Sequence, residues 1–234
     1  MARITRKELK SDHFALEVEH TLTFFEEHRE QLLKYAIGAV VLVLLIVGYL
    51  FYSRHQHTIR EEALARAIQV QEAPVGQQGA PGTLSFPTQD AKDQEANRVF
   101  TQVMTDYPGS SEGEVARYYL GAIKADEGKL AEAETYFKKA ADQGDKNYAS
   151  LAKLSLAQIY LTDGRNSEAE KTLRDLMDHP TVFVSKEQAT FTLARMLIAT
   201  KRPAEARKLL DPLRAVPGVV GQIALNLYNE MPPQ

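Results

Sequence analysis

The chain has 234 residues, a formal net charge of -3 and no cysteine. The missing thiols exclude disulfides, thiol catalysis, Cys-type zinc sites and lipidated cysteine anchors. The slightly acidic balance argues against a general nucleic-acid binder, which carries a basic excess.

Residues 1–34 form a charged tail. Phe14, Val18, Leu22 and Phe25 recur at steps of four, four and three, one apolar stripe on a helix of period 3.6. Ser11 and Asp12 precede it as N-caps. The stripe suits a helix lying on a membrane surface, a continuation of the segment that follows, or a docking helix for a partner. Its acidic polar face opposes strong adhesion to anionic lipid. His13, His20 and His28 fall at seven- and eight-residue steps and read as surface histidines, since a metal site needs converging ligands with supporting carboxylates.

Residues 35–52, YAIGAVVLVLLIVGYLFY, hold eighteen residues without a charge. At about 1.5 Å per residue, a helix of this length crosses most of a bilayer's apolar core. Tyr35, Tyr49, Phe51 and Tyr52 stand at its ends, where amphipathic rings prefer the headgroup level. A buried helix of a soluble core usually runs shorter. A cleaved signal peptide is disfavoured, because Glu26, Glu27 and Glu30 precede the run and Ser53-Arg54-His55-Gln56 follows it. The segment therefore reads as a transmembrane anchor. Arg3, Arg6, Lys7, Lys10, Arg29 and Lys34 precede it, against Arg54, Arg60 and Arg66 after it, so the tail orients toward the cytoplasm and the larger part crosses the membrane.

Residues 53–95 combine a membrane-proximal helix, Ile59–Gln71, with a flexible loop. Pro74, Gly76, Gly79, Pro81, Gly82 and Pro87 interrupt any periodicity there.

Residues 96–234 repeat. Ala96, Ala133, Ala169 and Ala206 are spaced by 37, 36 and 37 residues. Four residues after each stands Phe100, Phe137, Leu173 or Leu210, and three further on Val103, Ala140, Leu176 or Leu213. Twelve residues before the last three alanines come Gly121, Ala157 and Ala194, each preceded by leucine. Small residues at those positions let paired helices approach closely. Turns at Gly128, Gly164 and Lys201 lie between the paired helices, Lys201 departing from the glycine pattern with Pro203 to open the next helix. Pro108, Pro180 and Pro217 close repeats, with Asp145 near that position in the second. Val219 to Tyr228 reads as a closing helix.

This pattern resembles the tetratricopeptide repeat, with a period slightly longer than the usual ~34 residues and no early Trp. The fold predicted is all-α: an N-terminal amphipathic helix and a single transmembrane helix, followed by a tetratricopeptide-repeat-like α-solenoid. Gly109-Ser110-Ser111-Glu112-Gly113 satisfies the G-x-S-x-G pattern of a nucleophile elbow, but that chemistry needs a strand-to-helix turn. Here the segment falls between helices, and Ser111 reads as an N-cap. With no phosphate loop, H-E-x-x-H or dinucleotide fingerprint, the reading is of a non-enzyme without catalytic residues, cofactor, metal or small-molecule substrate.

In a solenoid of this kind the first helix of each pair lines a concave groove. In the repeat register the groove positions include Tyr118, Leu154 and Phe191, then Arg195, then Leu161 and Ile198. They are read as a partner-binding groove for an apolar peptide or helix. The same side chains would serve equally in intramolecular packing.

The whole arrangement also resembles the YfgM-like proteins, ancillary subunits of the bacterial Sec translocon. The resemblance is carried by Glu19 to Leu33 (EHTLTFFEEHREQLL) leading into the span, by Tyr52-Ser53-Arg54-His55-Gln56 after it, and by an alanine-rich helix and repeats beyond. It implies a single-pass protein of the bacterial inner membrane with the tail cytoplasmic and the repeats periplasmic. It further implies association with the SecYEG translocon and the membrane-anchored periplasmic chaperone PpiD, and contact with unfolded translocated chains. The alternative is an envelope scaffold for cell-division or outer-membrane assembly complexes.

Overall fold

The computed structural model describes residues 29–76 and 84–231. The tail stripe and the histidines at 13, 20 and 28 lie outside the described residues. Nine helices occur among the described residues: α1 Arg29–Glu72, α2 Gln89–Asp106, α3 Ser111–Asp126, α4 Leu130–Gln143, α5 Lys146–Thr162, α6 Asn166–Asp178, α7 Lys186–Ala199, α8 Pro203–Arg214 and α9 Val219–Asn229. The chain divides into two compact units, Met1–Thr58 and Ile59–Gln234.

In the first unit the described chain is all helix. The apolar window is long enough to cross a membrane, with a mean hydropathy of 2.4, and none of it is buried. The apolar run and the membrane-proximal helix read at Ile59–Gln71 are one continuous helix, α1. No Gly or Pro stands at 53–58 to interrupt it, and the Thr58 hydroxyl donates to the Arg54 carbonyl at 3.2 Å.

In the second unit the end of α1 pairs with α2, α3 with α4, α5 with α6 and α7 with α8, and α9 closes the stack. Pairing follows from amphipathic faces that share one register. All four register alanines are fully buried, and so are Phe100, Leu173 and Leu210. Leu120 and Leu193 are fully buried on the facing helices, with Leu156 nearly so. A Cβ added at Gly121 would lie 2.8 Å from the Phe137 ring, so glycine is what lets α3 and α4 approach. The loop after α1 is tied at its base, where the Gly76 N–H donates to the Phe86 carbonyl at 3.0 Å and the Phe86 N–H to the Pro74 carbonyl at 3.0 Å.

Two kinds of turn alternate. Helices α3, α5 and α7 begin at side-chain caps, with Ser110, Asp145 and Ser185 accepting from the N–H groups of Gly113, Asn147 and Gln188. Helices α4, α6 and α8 follow left-handed residues: Gly128 at φ 75°, Gly164 at φ 73° and Lys201 at φ 60°. Lys201 adopts the turn without the glycine that makes it easy, at about 1 kcal/mol of strain.

Two substitutions read these constraints with opposite signs. Lys201→Gly is expected to stabilise the protein by up to about 1 kcal/mol, as strain relief outweighs glycine's entropy. Gly121→Val is expected to destabilise it by about 2 kcal/mol through overpacking against Phe137. Denaturant unfolding of the full chain in detergent, compared with wild type, measures both.

Candidate partner-binding surface

The six groove residues divide by environment. Leu154 and Phe191 are each only 8% exposed, and Tyr118, Leu161 and Ile198 pack half-buried against the same core. Arg195 is exposed, as is Gln158 one repeat earlier. The face therefore offers solvent a polar centre of Gln158 and Arg195, flanked by the partly covered edges of Leu161 and Ile198. Leu154 and Phe191 turn inward because neighbouring helices close over them.

Tyr118 belongs to an aromatic cluster that the repeat register did not reveal. Its ring lies 5.7 Å from Phe137, 5.6 Å from Tyr119 and 5.6 Å from Tyr148. Tyr119 stacks on Phe100 at 4.7 Å, and Tyr148 meets Phe183 edge-on at 5.3 Å. Burial raises the Tyr118 phenol, against a hydrogen bond with Ser155 that lowers it. Burial, together with Tyr148, pushes Tyr119 up to about 12. Both phenols thus stay protonated at neutral pH.

On the second helices of the pairs a ladder of ions joins one repeat to the next. Arg165, just before α6, pairs with Glu168 at 2.6 Å and reaches back to Glu134 of α4 at 2.9 Å. Arg202, just before α8, repeats this with Glu205 at 2.7 Å and Glu170 of α6 at 2.6 Å. Lys138 and Arg174 complete the carboxylates at 134 and 170. The bonds hold all four carboxyls below the usual 4.5: Lys138 foremost at Glu134, Arg165 at Glu168, and Arg202 at Glu170 and Glu205. A legible signal existed, since Arg165 and Arg202 directly follow the turn residues and each precedes a glutamate by three.

The G-x-S-x-G segment is a turn. Gly109 is left-handed at φ 71°. The Ser110 hydroxyl donates to the Tyr107 carbonyl at 2.8 Å and accepts from the Gly113 N–H at 3.0 Å. The cap is thus Ser110, and Ser111 is the first helical residue, exposed. Gly113 is required because a Cβ there would strike the Tyr107 carbonyl. A hollow of about 500 Å³ lies between α4, α5 and α6, where the polar side chains of Lys153 and Asp175 already pair at 2.6 Å. No cluster of three or more metal-ligating His, Cys, Asp or Glu side chains occurs among the described residues.

Stacked helix pairs with alternating capped and left-handed turns define a tetratricopeptide-like α-solenoid, a class that serves as a protein-interaction module. The profile of the tetratricopeptide repeat-like domain matches residues 24–188, well over half of the chain. The chain belongs to that family. Among solved structures it is similar to a tetratricopeptide repeat protein from Parabacteroides merdae, with 16% identity and a TM-score of 0.53. That match covers 73% of this chain and 59% of the Parabacteroides chain. It is also similar to the tetratricopeptide-like repeats of a putative kinesin light chain from Podosopora anserina, with 17% identity, a TM-score of 0.49, and coverage of 60% and 77% of the two chains. No curated protein matches at a significant level.

The ion ladder makes a pH and salt prediction. Carboxyls depressed on folding contribute stability that is present above pH 4.5 and lost as pH falls below it toward their folded values. Arg202→Gln is therefore expected to lower the thermal midpoint at pH 7 in low salt. The difference from wild type should shrink in 1 M NaCl, which screens the ladder. It should also shrink progressively as pH falls below 4.5 through the lowered folded values of these carboxyls, which neutralises it. Melting curves across pH and salt measure this.

Proposed function

We infer that the protein is a membrane-anchored interaction module. Residues 35–52 of α1 span the membrane, and the repeat unit offers the face around Gln158 and Arg195 to a protein partner. The observation that carries this is the wholly unburied apolar window. A row of eighteen uncharged residues with no protein cover is stable in a helix only where lipid replaces water. The family match supports the unity of the chain, since it begins at residue 24 and takes in the apolar run as well as the repeats.

The finer reading follows the resemblance at Glu19–Leu33 and Tyr52–Gln56. The protein is an accessory subunit of the Sec translocon of the bacterial inner membrane, tail in the cytoplasm and repeats in the periplasm. It links the SecYEG channel to a membrane-anchored periplasmic chaperone and meets translocated chains on the groove that runs past Tyr118, Leu161, Arg195 and Ile198. Leu154 and Phe191 support that groove from beneath.

Photo-crosslinkers at Gln158 and Arg195 of the full-length protein in native membranes, followed by affinity purification and mass spectrometry, test the reading. Translocon subunits or a periplasmic chaperone crosslinked at these positions are expected. Recovery of division or outer-membrane assembly proteins instead would sink the translocon role and leave an envelope scaffold.

A further inference from the structure

Consecutive helices of the repeat unit run antiparallel, so α3, α5, α7 and α9 start on one edge, together with the Ile59 end of α1. Contacts tie that edge together. Arg60 Nε lies 3.6 Å from Glu112 Oε2 in the first turn of α3. In the first turn of α5, Ser150 and Thr181 hydroxyls bond at 2.7 Å and Tyr148 carries Phe183. Among the described residues of the second unit seven large apolar side chains are exposed, and five of them, Ile59, Val182, Phe183, Val216 and Val219, lie on this edge. Leu84 and Leu225 are the other two.

The connection from α6 to α7 holds its apolar tip outward. The Thr181 N–H donates to the Val184 carbonyl at 2.9 Å, the Val184 N–H donates to the Thr181 hydroxyl at 3.1 Å, and Val184 is fully buried. Between these anchors Val182 is 86% exposed, and on the next connection Val219 is 70% exposed. Scattered apolar exposure needs no explanation, but its concentration on one edge does.

We propose that this edge of the repeat unit rests on the lipid bilayer, with Val182, Phe183 and Val219 reaching the boundary between headgroups and acyl chains. The inference rests on the anchoring read above. What selects lipid as the occupant is chain length. Six residues, 53–58, separate the apolar run from Ile59, and the link to Ile59 reaches at most about 25 Å even fully extended. Ile59, at one end of this edge, is therefore held within that reach of the membrane however the chain bends. Exposed Lys146 and Lys186 alternate there with exposed Asp145 and Asp178, so contact is apolar and indifferent to headgroup charge.

The absence of cysteine allows single-site labelling. Full-length V182C, V219C, S167C and V43C, each carrying an environment-sensitive fluorophore, are reconstituted in phosphatidylcholine vesicles with and without phosphatidylglycerol and with lipid-borne spin-label quenchers. Positions 182, 219 and 167 are exposed, so labelling there removes no packing. Ser167 begins α6 on the opposite edge and serves as the control. Quenching at 182 and 219 at least twofold above that at 167, equal in both lipid mixtures, is the expected result. Quenching at 43 with 182 and 219 no different from 167 overturns this inference alone. An unquenched label at 43 overturns the anchoring reading and this one with it. A blue-shifted but unquenched label at 182 or 219 shows a second copy or another protein on the edge, and also overturns it.

Discussion

The repeat unit depends on a matched pair of sizes: a small residue on the first helix of each pair opposite a large one on the second. Gly121 against Phe137 is the tightest case. Ala157 and Ala194 recur at the same register position, facing pairs whose second helices carry Leu173 and Leu210, and all four side chains are fully buried. At Phe137 the small residue is glycine, at Leu173 and Leu210 it is alanine, and at Phe100 the buried small residue of α1 is Ala67. A larger residue at the small position would push the two axes apart and uncover the register alanines.

That constraint is why the solenoid was legible. Burial faces repeat with the chain's own period, and Ala96, Ala133, Ala169 and Ala206 needed no structure to find. The closing helix was equally plain in Val219–Tyr228. What escaped was whatever depends on backbone angles or on residues distant in sequence. Ser110 and Ser111 are chemically equal as caps, and it is the backbone after the left-handed Gly109 that turns the Ser110 hydroxyl to the helix end. The groove positions share one repeat register, yet Leu154 and Phe191 lie beneath the surface, because exposure depends on how closely the neighbouring pairs stack. The Tyr118–Tyr148–Phe183 cluster joins an α3 residue to a connection some sixty positions later, through a loop whose fold the local sequence does not announce.

The same alignment shows that the stack is not uniform. The buried residues fall into two cores. One contains Ala67, Phe100 and Leu120, and the other runs from Ala133 to Met231. Helix α3 belongs to both, presenting Leu120 and Ile123 to one and Tyr118 and Ala122 to the other. The ion ladder respects this division. Glu134 and Glu170 receive the arginines of the following repeats, but the equivalent position in α2 is Asn97, and Lys129 turns to Glu127 at 2.8 Å instead. The junction of the first and second repeats thus lacks this arginine clamp and joins apolar and aromatic contact to the Arg60–Glu112 pair at 3.6 Å, while later junctions are clamped by bidentate arginines.

The apolar helix obeys the opposite rule. In the repeat unit large apolar side chains are nearly all covered, because each face meets a partner of complementary size. Along 37–52 of α1 every large apolar residue is exposed, and Gly38 and Gly48 have nothing within 4 Å of an added Cβ. Glycines that relieve crowding in the solenoid relieve none here, so the apolar run answers to no packing partner in the described chain. Two rules for apolar residues in one polypeptide are what the proposed anchoring rests on: in the repeats an uncovered large apolar side chain is the exception, and along the apolar run of α1 it is the rule.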